Sequence, residues 1–249
     1  MLRWIARHVR GFYGALAAFV SVSLIVGIIA VAVFVGFARL VMEGVTQTFD
    51  DAVLRWIEGH RSAVLDQMVL EITVLGAGIV LLMIVLVASV FLWLTRHRWS
   101  VYILLTGVFG GQLLNRVLKN AFERPRPSSV EWVTEVQSLS FPSGHAMTSA
   151  ITYLSVAYLV ARLEPTPRLR ATTWAMAILI IVLVGLSRMY LGVHYPTDVL
   201  AGWLGGIAWV GFVAASLAAV RFFASRRPET RSEEHDLHAE PQRAAGTGS

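Results

Sequence analysis

The chain has 249 residues, 56% of them hydrophobic and 15% charged, and a formal net charge of +5. A mean hydropathy of +0.64 is far from that of a soluble domain and makes a multi-span membrane protein the default class. The chain has no cysteine, which excludes disulfides, thiolate nucleophiles and cysteine metal sites and leaves the redox compartment open. Its basic residues gather at the edges of apolar runs, a pattern of membrane topology rather than of nucleic-acid binding.

A bilayer core about 30 Å thick takes roughly 20 apolar residues per helix. Six stretches fit, approximately 13–38, 74–95, 99–118, 146–163, 171–187 and 199–220. They predict an all-α fold, a six-transmembrane-helix bundle forming one domain over 1–223. Arg3, Arg7 and Arg10 precede the first run in the manner of a signal peptide. The run is over 20 residues long and has no convincing small-x-small cleavage site, so it reads as an uncleaved span.

The segment 43–72 comes next, with Glu43, Asp50, Asp51, Glu58, Asp66 and Glu71 against Arg55 and Arg61. Leu65, Met68, Val69 and Ile72 recur at helical spacing, which predicts an amphipathic surface helix over about 46–72. The connection Arg96-His97-Arg98, the connection 162–170 and the exit at Arg221, Arg226 and Arg227 are basic. The positive-inside rule assigns them to the cytoplasm with both termini, and puts 43–72, 119–145 and 188–198 on the opposite face. Residues 224–249 are polar and poor in aromatics, a disordered cytoplasmic tail in which His235 and His238 read as solvated. Gly107-x-x-x-Gly111 and Gly202-x-x-x-Gly206 predict close helix packing inside the bundle ahead of a dimer face.

Six hydrophilic residues collect on the face opposite the cytoplasm. Lys119 and Arg126 lie in "KNAFERPRP", His145 follows Ser143-Gly144, and Arg188, His194 and Asp198 lie in "SRMYLGVHYPTD". An ionisable group in mid-bilayer costs roughly 2.5–3.5 kcal/mol on insertion scales, so this concentration needs a reason. Snorkelling explains basic residues at span ends, but not the two histidines and the aspartate that accompany them. Lys119 is the chain's single lysine beside 20 arginines among 21 basic residues. A compact ammonium and planar guanidinium forks together suit a phosphate.

Pro142-Ser143-Gly144 reads as a helix entry with Ser143 at the N-cap, and the free amides of that helix end attract an anion. His145 then stands beside the bound group as a proton donor. His194 and Asp198 are four apart with Pro196 between them, a spacing that lets the carboxylate orient one imidazole nitrogen and leaves the other free to attack. Two histidines and an aspartate also match a zinc site, but three neighbouring cations would repel the metal.

At these residues the chain resembles the type 2 phosphatidic acid phosphatase superfamily. The family pattern Lys-x6-Arg-Pro, Pro-Ser-Gly-His and Ser-Arg-x5-His-x3-Asp is met by Lys119 with Arg126-Pro127, by Pro142 to His145, and by Ser187-Arg188 with His194 and Asp198. Arg124-Pro125 mimics the first part at the wrong spacing, so Arg126 takes the family role. The resemblance covers roughly residues 10 to 222 and implies an integral-membrane, metal-independent lipid phosphatase with no cofactor. By that resemblance His194 attacks phosphorus, Asp198 orients it, and His145 protonates the leaving oxygen. Lys119, Arg126, Ser143, Gly144 and Arg188 hold the phosphoryl oxygens.

The implied substrate is a lipid phosphate or polyprenyl pyrophosphate: phosphatidic acid, phosphatidylglycerophosphate or undecaprenyl pyrophosphate. The implied location is the cell (inner) membrane, with the active site on its extracytoplasmic side. Two other readings share these residues, a membrane phosphotransferase and a catalytically silent lipid-binding or transport protein. The oriented nucleophile argues against the silent one. Hydrolase and transferase share their first half-reaction, and the sequence does not separate them, nor does it set the oligomeric state.

Overall fold

The computed structural model describes residues 27–224, and the expectations placed on 13–26 and on the tail beyond 224 lie outside the described residues. Among the described residues the structure is helical throughout, with eight helices and no strand. Helix α1 spans Gly27–Met42, α2 Gln47–Glu58, α3 Ala63–Val74 and α4 Gly78–Leu94. Helix α5 spans Arg98–Phe122, α6 Gly144–Ala161, α7 Pro167–Tyr190 and α8 Pro196–Ala224. Contacts divide the chain into two units, up to Val213 and from Ala214 on. The residues that carry the motifs all fall in the first unit.

Local chemistry sets several boundaries. Helix α3 begins at Ser62, whose side chain accepts from the Leu65 amide, and α7 begins at Thr166, which accepts from the Leu169 amide ahead of Pro167 in the first turn. Helix α5 ends at Glu123 in the left-handed region, φ +47°. Gly44, at φ +77°, lies in the break between α1 and α2, where the chain bends by 75°.

The single amphipathic helix expected over about 46–72 is two helices, α2 and α3, interrupted at residues 59–62. One face of α2 buries Asp50 and Leu54 while Phe49 and Trp56 stand exposed, and Leu65 and Met68 of α3 are exposed too. The amphipathic character is real. A continuous helix is not, because the inward face of α2 must meet a charged site.

By length and apolarity, α5, α7 and α8 each qualify as a membrane span, and the bent pairs α1+α2 and α3+α4 raise the number to five. The chain is an integral membrane protein with three to five candidate crossings among the described residues, against the six expected. Helix α6, expected as a span over 146–163, does not reach the apolarity of the others. Its His145, Thr148, Ser149 and Thr152 belong to an interior helix, packed on α4, α5 and α7 with much of its length buried. Polar side chains in membrane helices face the bundle interior, and a helix enclosed by neighbours needs little lipid-facing apolar surface.

Met147 and Ile151 of α6 interlock with Val85 of α4 and with Leu104 and Val108 of α5. Both glycine pairs serve this packing, as expected. A Cβ at Gly206 would stand 2.7 Å from the Ala150 Cβ, and one at Gly111 would stand 2.4 Å from the Ile151 Cδ1.

Candidate active site

Three connections converge at one end of the bundle: the long one from α5 to α6, the short one from α7 to α8, and the break between α3 and α4. The short connection carries His194, which is 2% exposed. It turns at Gly192, where φ is +76° and a Cβ would stand 2.7 Å from the Glu131 carbonyl oxygen. The backbone direction and the close approach both require glycine there.

Helix α8 begins at Pro196 and puts the Asp198 carboxylate back under the imidazole. Its Oδ2 lies 3.5 Å from His194 Nδ1. The Ser140 hydroxyl bridges the pair, donating to that oxygen at 2.5 Å and lying 3.4 Å from Nδ1. Asp198 Oδ2 also accepts from the Tyr195 amide at 2.9 Å. On the other side of the ring, His194 Nε2 lies 3.3 Å from Arg126 Nη1. With Nδ1 facing the carboxylate and Nε2 facing a group that only donates, the favoured tautomer carries its proton on Nδ1 and a free lone pair on Nε2.

His194 lies between α7 and α8, outside the spans. Burial holds its pKa down at about 3, opposed by the Asp198 contact and reinforced by Arg126 and Arg188. The ring is therefore neutral at physiological pH. An unfolded histidine takes up a proton near its ordinary value of 6.5, whereas this one stays neutral to about 3, so the group favours unfolding as pH falls through that window. The detergent-solubilised protein should lose melting temperature between pH 6.5 and 4, less steeply in His194→Gln. An identical slope in the variant would contradict the assignment.

The cations surround this ring. Arg126 is anchored to backbone carbonyls, its Nε donating to Ser138 and its Nη1 to Val193, each at 2.5 Å. Lys119 reaches from the last turns of α5 and donates to the Leu139 carbonyl. Arg188 is 4% exposed at the end of α7; its Nη1 donates to Thr73 Oγ1 at 2.9 Å. Its Nε has no hydrogen-bond partner among the described residues. His145, in the first turn of α6, is within electrostatic reach of Arg188, His194, Arg126 and Lys119. A Cβ at Gly76 would stand 3.1 Å from the His145 Cδ2, so the glycine in the α3–α4 break gives this imidazole its place.

Ser143 is the N-cap residue of α6, as expected, but its hydroxyl does not cap the helix. It is buried without a hydrogen-bond partner among the described residues. A Cβ at Gly144 would lie 3.6 Å from the Lys119 Cε, which shows how closely the helix end approaches that cation. All eight expected residues thus gather at this end of the bundle. An orphaned buried donor costs about 1–3 kcal/mol, and two of them, Ser143 Oγ and Arg188 Nε, lie among the cations. That donor set fits a tetrahedral oxyanion.

Arg124 is the residue that sequence reasoning set aside. It is 6% exposed and bridges two fully buried carboxylates, with Nη1 2.6 Å from Asp198 Oδ1 and Nη2 2.9 Å from Asp50 Oδ2. Its guanidinium carbon stands 4.0 Å from the Tyr195 ring centroid. Asp50 in turn accepts from the Thr197 amide and hydroxyl at the start of α8. The arginine repeated two residues before Arg126 was the available signal, but spacing alone could not reveal its partner on α2.

A helical membrane bundle with an oxyanion site backed by an Asp–His pair defines a phosphate-handling membrane enzyme. The model of the PAP2 superfamily matches residues 100–222. The chain is 38% identical to phosphatidylglycerophosphatase B of Bacillus subtilis over 70% of this chain and 86% of that one. It is 40% identical to an undecaprenyl-diphosphatase of Sulfolobus acidocaldarius over 31% of this chain and 33% of that one. Among solved structures it resembles the transmembrane PAP2-type phosphatidylglycerolphosphate phosphatase of Bacillus subtilis, with a TM-score of 0.72 and 30% identity over 82% of this chain and 98% of that one. The chain belongs to the PAP2 superfamily. It is a membrane lipid phosphatase, a hydrolase of phosphate esters or diphosphates.

Proposed function

We propose that hydrolysis proceeds through a phosphohistidine on His194. The carrying observation is the orientation of that ring, with Nδ1 backed by Asp198 and Nε2 turned toward Arg126 among partnerless buried donors. His194 Nε2 attacks phosphorus and forms an N–P bond. The bond from phosphorus to the leaving oxygen breaks, its electron pair stays on that oxygen, and His145 supplies the proton. Water then attacks phosphorus, His145 accepts the water proton, and the N–P electron pair returns to Nε2. Lys119, Arg126, Arg188, Ser143 Oγ and the Gly144 amide hold the equatorial oxygens, where charge redistributes in the transition state.

The substrate is a lipid monophosphate or diphosphate presented at the extracytoplasmic leaflet of the cell membrane. The basic connections 96–98 and 162–170 alternate along the chain with the site-bearing segments, which supports an N-in arrangement. The α2 segment packs on the site through Asp50, so it shares the site's side of the bundle.

Purified protein given phosphatidate, phosphatidylglycerophosphate or undecaprenyl diphosphate should release phosphate in the presence of EDTA. Release that requires added zinc or magnesium would contradict the mechanism. Sidedness has its own test in this cysteine-free chain. An impermeant maleimide should label Ser128→Cys in intact cells and spare Ser232→Cys, and the reverse pattern would place the site inside.

A further inference from the structure

Helix α5 carries a polar stripe of which the mechanism uses only Lys119. Gln112, Asn115, Arg116, Lys119 and Asn120 follow one another at steps of three, one, three and one, which puts them on one helical face. The neighbouring face is lipid-like, with Phe109, Leu113 and Val117 more than half exposed. Gln112 lies ten residues from the end of α5, about 15 Å along the helix at 1.5 Å per residue. That is mid-helix, beyond what snorkelling from the helix end explains.

The stripe lines a cavity of about 390 Å³, closed on the far side by Gln137 and Ser138 of the long connection. Small-molecule pockets are mostly apolar, and an acyl or prenyl tail would need an apolar wall. Of the side chains that line this wall only Leu139 is apolar; the others are carboxamides, hydroxyls, the Lys119 ammonium and the Arg116 guanidinium. Lys119 belongs both to the cavity and to the phosphate site, so the two spaces adjoin. Arg116, one turn away, makes no hydrogen bond or ion pair with any described residue. An unpaired guanidinium ringed by carboxamides recognises an anion rich in acceptor oxygens.

Resting on the phosphohistidine reading above, we propose that this cavity binds a second, non-reacting phosphate of the substrate, with Arg116 as its cation. The scissile phosphate occupies the site at His194. A second phosphate follows it directly in a lipid diphosphate, or across a glycerol bridge in a lipid glycerophosphate. Phosphatidate has none, so its diacylglycerol leaves the cavity unused. Arg116 thereby sets specificity for substrates with two phosphates over those with one.

The test compares KM for phosphatidate, phosphatidylglycerophosphate and undecaprenyl diphosphate in the wild type and in Arg116→Gln. Removing one charge-assisted contact should raise the KM of a two-phosphate lipid, relative to that of phosphatidate, by about tenfold. Arg116→Lys should recover most of that ratio. Whether the diphosphate, the glycerol-linked lipid or both respond identifies the spacing the cavity accepts. A proportionate change on all three lipids, or no change on any, would overturn the proposal. Failure of the wild type to hydrolyse any of the three would instead count against the phosphohistidine reading itself.

Discussion

His194→Ala should lose turnover by on the order of 10⁴–10⁶-fold, the range seen when a nucleophile or its partner is removed from a covalent-catalysis unit. No other side chain in the site has a free lone pair in this position. Lys119 and Arg126 are committed to backbone carbonyls, and arginine is no nucleophile at neutral pH. His145 stands on α6, apart from the connection that carries His194, and faces the leaving group in the mechanism above. Steady-state phosphate release checks this with two controls. Asp198→Asn should lose activity on the order of 10⁴-fold by upsetting the tautomer, as removing the orienting carboxylate does in a serine protease. His145→Ala should lose much less on a lipid analogue whose leaving group needs no proton. A His194→Ala enzyme within tenfold of wild type would remove the nucleophile from the account.

Arg124→Gln should be the most damaging change to the fold. The guanidinium lies between Asp50 and Asp198, both fully buried, so its removal leaves two carboxylates without their counter-charge. Breaking one buried ion pair from one side typically costs about 3–5 kcal/mol, because the stranded charge remains. Arg124→Lys should rescue poorly, since one ammonium cannot reproduce a fork that serves both acids and Thr197 Oγ1 at once. Adding Asp50→Asn to Arg124→Gln should return part of the stability, because one of the two stranded charges is then gone. Additive losses in that double-mutant cycle, followed by thermal denaturation in detergent, would show that the bridge carries no coupling.

The site was more legible than the bundle that holds it. Motif residues are dictated by phosphate chemistry, so type and spacing survive in the one-dimensional string, and Lys119, Arg126, Ser143, Gly144, His145, Arg188, His194 and Asp198 all gather at one end of the bundle. Spans are read from hydropathy, and α6, expected as one, does not reach the apolarity of the other candidate helices. An interior helix can carry His145, Ser149 and Thr152 because neighbouring helices shield it from lipid. The break between α2 and α3 was invisible for a related reason. The apolar positions keep helical spacing on either side of it, and the interruption matters only because Asp50 must meet Arg124, 74 residues away in sequence. Ser140 and Thr73 escaped notice as ordinary hydroxyls. Their roles depend on partners from other helices, which no local pattern records.

Trapping the covalent intermediate is the most direct measurement. Rapid quenching of wild-type protein with a lipid phosphate labelled in its scissile phosphoryl should yield a phosphoprotein that is labile in acid and stable in alkali. The label should map to the peptide containing His194, persist longer in His145→Ala on a substrate with a good leaving group, and vanish in His194→Ala. Label at any other residue, or label retained in His194→Ala, would contradict the account.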